Sequence, residues 1–169
     1  MDILAIFLVQ FALSFVVYGL MWKWFLASYY RSRPVEQGLT ILLLPHLWHH
    51  IGLTTLVPTV VAKTMPGEFA VPVSIGDVVI IVLALASLGM LRYRARGAAA
   101  LIWAFSIVGS LYMIYTGILW VRFKIWDHLA AHCYVGSFYI PLLVTSHILI
   151  IWILLARGAE LGVYPNKGT

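Results

Sequence analysis

Three of the six histidines in this chain fall in one nearly apolar stretch, LLLPHLWHHIGLTTLVP, as His46, His49 and His50. A neutral imidazole offers one lone pair to a metal or a proton, while its other nitrogen can be held by a neighbour. At 3.6 residues per turn, positions 46, 49 and 50 project within an arc of about 100°, so the spacing predicts one shared helix face. A fourth histidine, His147, stands alone midway along a later apolar run, and WDHLAAH adds His128 and His132.

Depth narrows the chemistry. With about 1.5 Å of rise per residue, His50 lies about 16 Å from a helix end near Leu39, and His147 about 14 Å from an end near Ala156. Two histidines at matching depth on different helices suit axial ligation of haem b, His147 with His50 or His46. The rival is a compact metal site built from His46, His49, His50 and His147. Asp77 is the single acidic residue in the apolar runs, and it sits at an end, so an all-nitrogen site for zinc, copper or iron fits better than one for magnesium or calcium. His128 and His132 are expected at the outer surface, in an interfacial loop anchored by Trp126 and Tyr134.

The elements that must carry these residues are membrane helices. The chain is 63% hydrophobic and 10% charged, with a mean hydropathy of +0.98, outside the range of soluble domains. Five apolar runs are long enough to cross a bilayer, approximately residues 3–28, 39–62, 73–91, 98–121 and 137–156. The first begins Met1-Asp2 without a basic residue and has no small-residue cleavage site, so it reads as a retained helix and not a secretory signal. No linker, repeat or low-complexity tract divides residues 1–169, and a single all-α domain is expected, an integral membrane five-helix bundle.

Lys23, Arg31, Arg33, Arg92, Arg94, Arg96, Arg157 and Lys167 gather on one side of five such spans, against Lys63, Arg122 and Lys124 on the other. That asymmetry predicts a cytoplasmic C-terminus and an external N-terminus. It also accounts for the net charge of +5 without nucleic acid as a partner; RYRAR, residues 92–96, reads as an anchor for anionic membrane lipid. The lone Cys133 excludes an intrachain disulfide and a CxxC motif, and no phosphate-binding glycine loop or GxSxG elbow is present.

Several smaller patterns complete the reading. Gln10, Ser14 and Tyr18 form a polar stripe that should face other helices, and Ser106, Gly109, Ser110 and Gly117 form a small-residue face for close helix approach. Asp77 in SIGD is expected to cap the start of the third span. Pro45, Pro58 and Pro141 lie inside spans and can bend them.

HLWHH matches the HxxHH signature of membrane fatty acid desaturases and hydroxylases, and HLAAH is similar to their HxxxH element. That resemblance implies a di-iron centre on the cytoplasmic side. It is partial, because the two boxes fall on opposite sides of the predicted membrane and a third is missing. PHLWHHIGLTTLVP, VPVSIGD and IPLLVTSH resemble a set of small bacterial multi-pass membrane proteins without an assigned function, which implies the bacterial inner membrane. The expected function is haem b binding for membrane electron transfer, with a redox partner. The alternatives are an accessory role beside other membrane-protein subunits, a histidine-lined metal or proton conduit, and a histidine-metal oxidoreductase.

Overall fold

The computed structural model describes residues 3–161, and every regular element among them is helical. Met1, Asp2 and the tail that carries Lys167 lie outside the described residues. The first helix, α1 (Ile3–Met21), runs through a π turn at Trp22–Leu26 into α2 (Ala27–Ser32). Arg33 is extended, as the residue before a proline prefers, and the chain reverses at Pro34 into α3 (Val35–Leu43). Later come α4 (Gly67–Arg92), α5 (Ala98–Arg122) and α6 (Ile140–Arg157). Four helical stretches are long and apolar enough to cross a membrane: Ile3–Ser32, Gly67–Arg92, Ala98–Arg122 and Ala130–Glu160.

The second expected span takes a different form. After α3 the chain tightens at Leu44 into a 3-10 helix that continues to Leu56, thirteen residues in a geometry seldom sustained beyond three or four. Pro45 lacks an N–H and its ring opposes the carbonyl four residues back, so α geometry is disfavoured at the entry. Local acceptors are then taken up elsewhere. The Tyr139 hydroxyl donates to the Pro45 carbonyl at 2.5 Å, and the Thr54 and Thr55 hydroxyls donate to the carbonyls of Ile51 and Gly52. Burial follows the three-residue period: Leu43, His46, His49 and Thr55 are buried and Gly52 shares their face, whereas Leu44, Trp48, His50 and Leu56 are exposed. The α3 and 3-10 segments together span about 40 Å, more than the roughly 30 Å of a hydrocarbon core.

The third run also starts earlier than expected. Its helix begins at Gly67, behind Pro66, and passes through Pro72, which places Asp77 in the helix interior. Asp77 is therefore no N-cap; it is buried. Arg94 and Gly97 adopt positive φ values of 52° and 90° and turn α4 into α5.

Two apolar clusters bracket the interior. One, toward the end of the bundle where Tyr30, Arg92 and Arg157 lie, contains Leu39, Leu43, Ile80, Ala84, Ile102 and Ile150. The other, toward residues 60–66 and 123–133, contains Phe7, Phe69, Val73, Leu119, Ile125 and Leu129. Between these levels the helices bury polar side chains: Ser74 and Asp77 on α4, Ser106 and Thr116 on α5, and Ser146 and His147 on α6. The first helix joins this second end through the Tyr18 hydroxyl, which donates to the Phe138 carbonyl at 3.0 Å.

Candidate functional site

The polar layer is built by four elements. The 3-10 segment supplies His46 and His49, α4 supplies Asp77, α5 supplies Tyr112, and α6 supplies Ser146 and His147. His46, His49, Asp77 and His147 are 0%, 3%, 5% and 3% exposed, so none of them gains from solvent. The His46 ring lies 4.3 Å from that of His147 and 5.6 Å from that of His49, centroid to centroid, with Phe105 stacked on His147 at 4.9 Å.

Hydrogen bonds fix how these rings are held. His49 Nδ1–H donates to Asp77 Oδ1 at 2.9 Å, and the Tyr112 hydroxyl lies 2.7 Å from the same oxygen and 2.8 Å from the Val73 carbonyl. Ser146 donates to the Leu143 carbonyl, so His46 Nε2–H donates to Ser146 Oγ at 2.7 Å, a tautomer assigned by the network. His46 Nδ1, His49 Nε2 and both nitrogens of His147 are buried without a protein partner. An unpaired buried polar atom costs about 1–3 kcal/mol, and such atoms call for a water, an ion or a catalytic role.

Two glycines make the layer possible by bringing backbone against these side chains. A Cβ at position 109 would collide with the His147 imidazole, and one at position 52 with Asp77 Oδ2. The small-residue pattern predicts close helix approach at Gly109; in the structure its role is narrower, a hollow for one histidine ring.

A cavity of about 50 Å³ adjoins the layer on the side of the second apolar cluster, lined in part by His49, Asp77, Tyr112, Thr116, His132 and Tyr139. A water needs about 10–15 Å³ of such volume, and the lining supplies partners for it. His132 is buried here, not at a surface. The loop carrying it folds inward, with backbone bonds from Ala62 N–H to the His128 carbonyl and from His132 N–H to the Val60 carbonyl. Thr54 donates to the Ile51 carbonyl, so His132 Nδ1–H donates to Thr54 Oγ1 at 2.9 Å. His128, less buried, pairs with Thr64 at 2.9 Å.

Of the residues selected from the sequence, His46, His49 and His147 come together and His50 does not. His50 is exposed on the far side of the segment, with Nδ1 3.2 Å from the Leu47 carbonyl and its ring beside Trp48. The reason is the helix period: at three residues per turn His49 eclipses His46, and His50 is turned about 120° away. Tyr112, Tyr139 and Ser146 were not selected. Tyr112 had a visible signal, the recurrence Ser106, Gly109, Tyr112, Thr116 along one face of α5. Ser146 and Tyr139 act through contacts between distant segments and had none.

The arrangement bears on the cofactors expected. Imidazoles on opposite faces of one macrocycle, bonded to its metal at about 2.0–2.1 Å, have centroids roughly 6 Å apart. His46 and His147 are closer than that, and Phe105 occupies the other side of His147, so this packing does not admit a macrocycle between them. Among the described residues, no three His, Cys, Asp or Glu side chains form a group that could hold a metal ion.

The family described as a domain of unknown function, DUF8737, matches residues 6–155. The chain belongs to this family. No curated protein and no solved structure matches it. The match to DUF8737 takes in all of the polar layer, from His46 to His147, together with the His132 side of the cavity.

Proposed function

We propose that the chain is a five-span bundle of the bacterial inner membrane whose buried histidines conduct protons. The observation that carries this reading is the His49–Asp77–Tyr112 trio opening on a water-sized cavity that His132 also lines. Ionisable groups buried in a membrane bundle mark ion pathways and proton relays, because their desolvation is otherwise uncompensated. His49 is arranged to transfer a proton: Nε2 accepts one from the interior, Nδ1–H passes one to Asp77, and the ring ends neutral in the other tautomer. The basic residues support a cytoplasmic position for the end bearing Arg92 and Arg157, with an external N-terminus. The path then leaves the layer through Asp77, His132 and His128 toward the outside, and on its inner side it meets the apolar cluster of Leu39, Ile102 and Ile150 at mid-depth.

The test is proton flux into liposomes holding a pH-sensitive dye, driven by a potassium diffusion potential. Wild type should exceed protein-free vesicles several-fold, and Asp77→Asn and His49→Ala should each fall to the protein-free rate. A wild-type rate equal to that of empty vesicles overturns the reading.

A bound metal is the second reading, favoured by the unpartnered nitrogens of His46, His49 and His147; it requires those rings to move into a common ligand set that they do not form in this packing. Metal content of the purified protein, lost in His46→Ala and His147→Ala, would establish it. Haem b requires His46 and His147 to move apart, and a Soret band would be its signature.

A further inference from the structure

His50 is the one histidine near the layer that the geometry leaves unexplained. It is an exposed imidazole on a segment long enough to cross a bilayer, where a polar ring facing outward is costly. It sits in thirteen residues of 3-10 helix, a form that competes closely with the α-helix. The two forms differ by about 20° per residue, 120° against 100°. Pivoting at Pro45 and counting from His46, conversion to α moves His50 from about 120° away to about 40°. The same change carries His49 from alignment with His46 to about 60° off it.

We propose that Leu44–Leu56 has two registers and that His50 replaces His49 as the buried proton carrier in the second. This rests on the proton-conducting reading above and adds a second buried carrier to it. Three features favour a switch over a fixed helix. The 3-10 register is held from outside the segment, by Asp77 on His49 and by Tyr139 on the Pro45 carbonyl. Gly52 allows the segment to lie against Asp77 in this register only; in the α register position 52 turns away by about 120° relative to His46. The segment also shortens on conversion, by about 0.5 Å per residue, which displaces one end against its neighbours.

The experiment is an electron-resonance distance between spin labels on Trp48→Cys and Leu56→Cys, both exposed positions, in a Cys133→Ser background reconstituted in lipid. Eight steps span about 16 Å of rise with the labels about 120° apart as 3-10 helix, and about 12 Å of rise with the labels about 80° apart as α-helix. Asp77→Asn releases His49, and Gly52→Ala places a methyl group against Asp77 in the 3-10 register alone. Each should raise a population shorter by about 5 Å than the main wild-type distance. Should Asp77→Asn fail to fold, Gly52→Ala still decides. An unchanged distribution in the folded variants overturns the two-register proposal. His50→Ala should also lower the liposome proton flux to the protein-free rate, and wild-type flux in that variant overturns the role given to His50. A distance shift without any wild-type flux removes the conduit and leaves the switch; flux without a shift does the reverse.

Discussion

The apolar cluster around Leu39, Ile102 and Ile150 and the polar layer around His49 and Asp77 occupy neighbouring levels of the same helices, yet they are stabilised in opposite ways. In the first, Leu39, Ala84, Ile102 and Ile150 are completely buried and satisfy one another by contact alone. In the second, the polar side chains other than His147 depend on partners from another element: His49 on Asp77, His46 on Ser146, Tyr139 on the Pro45 carbonyl. Close packing between helices in lipid is tolerant of repacking, whereas a buried polar network is costly when half satisfied. The layer still keeps four bare nitrogens and a cavity, so part of its stability is given up where proton chemistry would take place.

Placing a charge in the apolar cluster gives the largest break in that contrast. Ile150→Asp puts an unpaired carboxylate among fully buried aliphatic groups, a cost of several kcal/mol that should prevent recovery of a monodisperse protein from detergent. A folded Ile150→Asp protein would show that this cluster is hydrated and that the proposed path does not end there.

Gly109→Leu comes next. The added side chain occupies the space of the His147 ring, and overpacking of this kind costs about 1–3 kcal/mol, read as a lower unfolding midpoint in detergent. Gly117, on the same helix, faces open space, and Gly117→Leu should leave that midpoint unchanged. Equal losses at the two positions would mean that glycine serves general helix approach and that the His147 hollow is incidental.

The helical architecture was legible from apolar runs, because hydrophobicity at this level is a property of composition. The fourth run, expected over 98–121, is observed over Ala98–Arg122. The histidine layer was legible for the same reason, since imidazoles in an apolar run stand out. Which histidine points inward was not, because the assumed period of 3.6 ranks His50 with His46 and the observed period of three ranks His49 instead. Nothing local in LPHLWHHIGLTTL shows that Tyr139 and Asp77, from other elements, will hold it in the tighter helix. Asp77 was misread as a cap because the start of α4 was placed at the hydrophobic run and not at Gly67. His132 was misread as a surface group because two backbone bonds to residues 60–62, invisible locally, draw its loop into the bundle.

The smallest expected effects form a matched pair that differs in sign. Ser146 and Ser87 are both buried serines in long helices, one in the polar layer and one beside Ala84 and Leu91. Ser146 accepts from His46 Nε2, so Ser146→Ala leaves a further buried N–H unpaired and should destabilise by about 1 kcal/mol. Ser87 Oγ has no partner, so Ser87→Ala removes an unsatisfied hydroxyl and should be neutral or stabilising by up to about 1 kcal/mol. Because the two substitutions remove the same atom, side-chain entropy and helix propensity largely cancel between them. The difference in unfolding midpoint then reports the hydrogen-bonding state of each level. Equal midpoints would mean that His46 finds another acceptor, which places mobile water in the layer and extends the proposed path from His132 as far as His46.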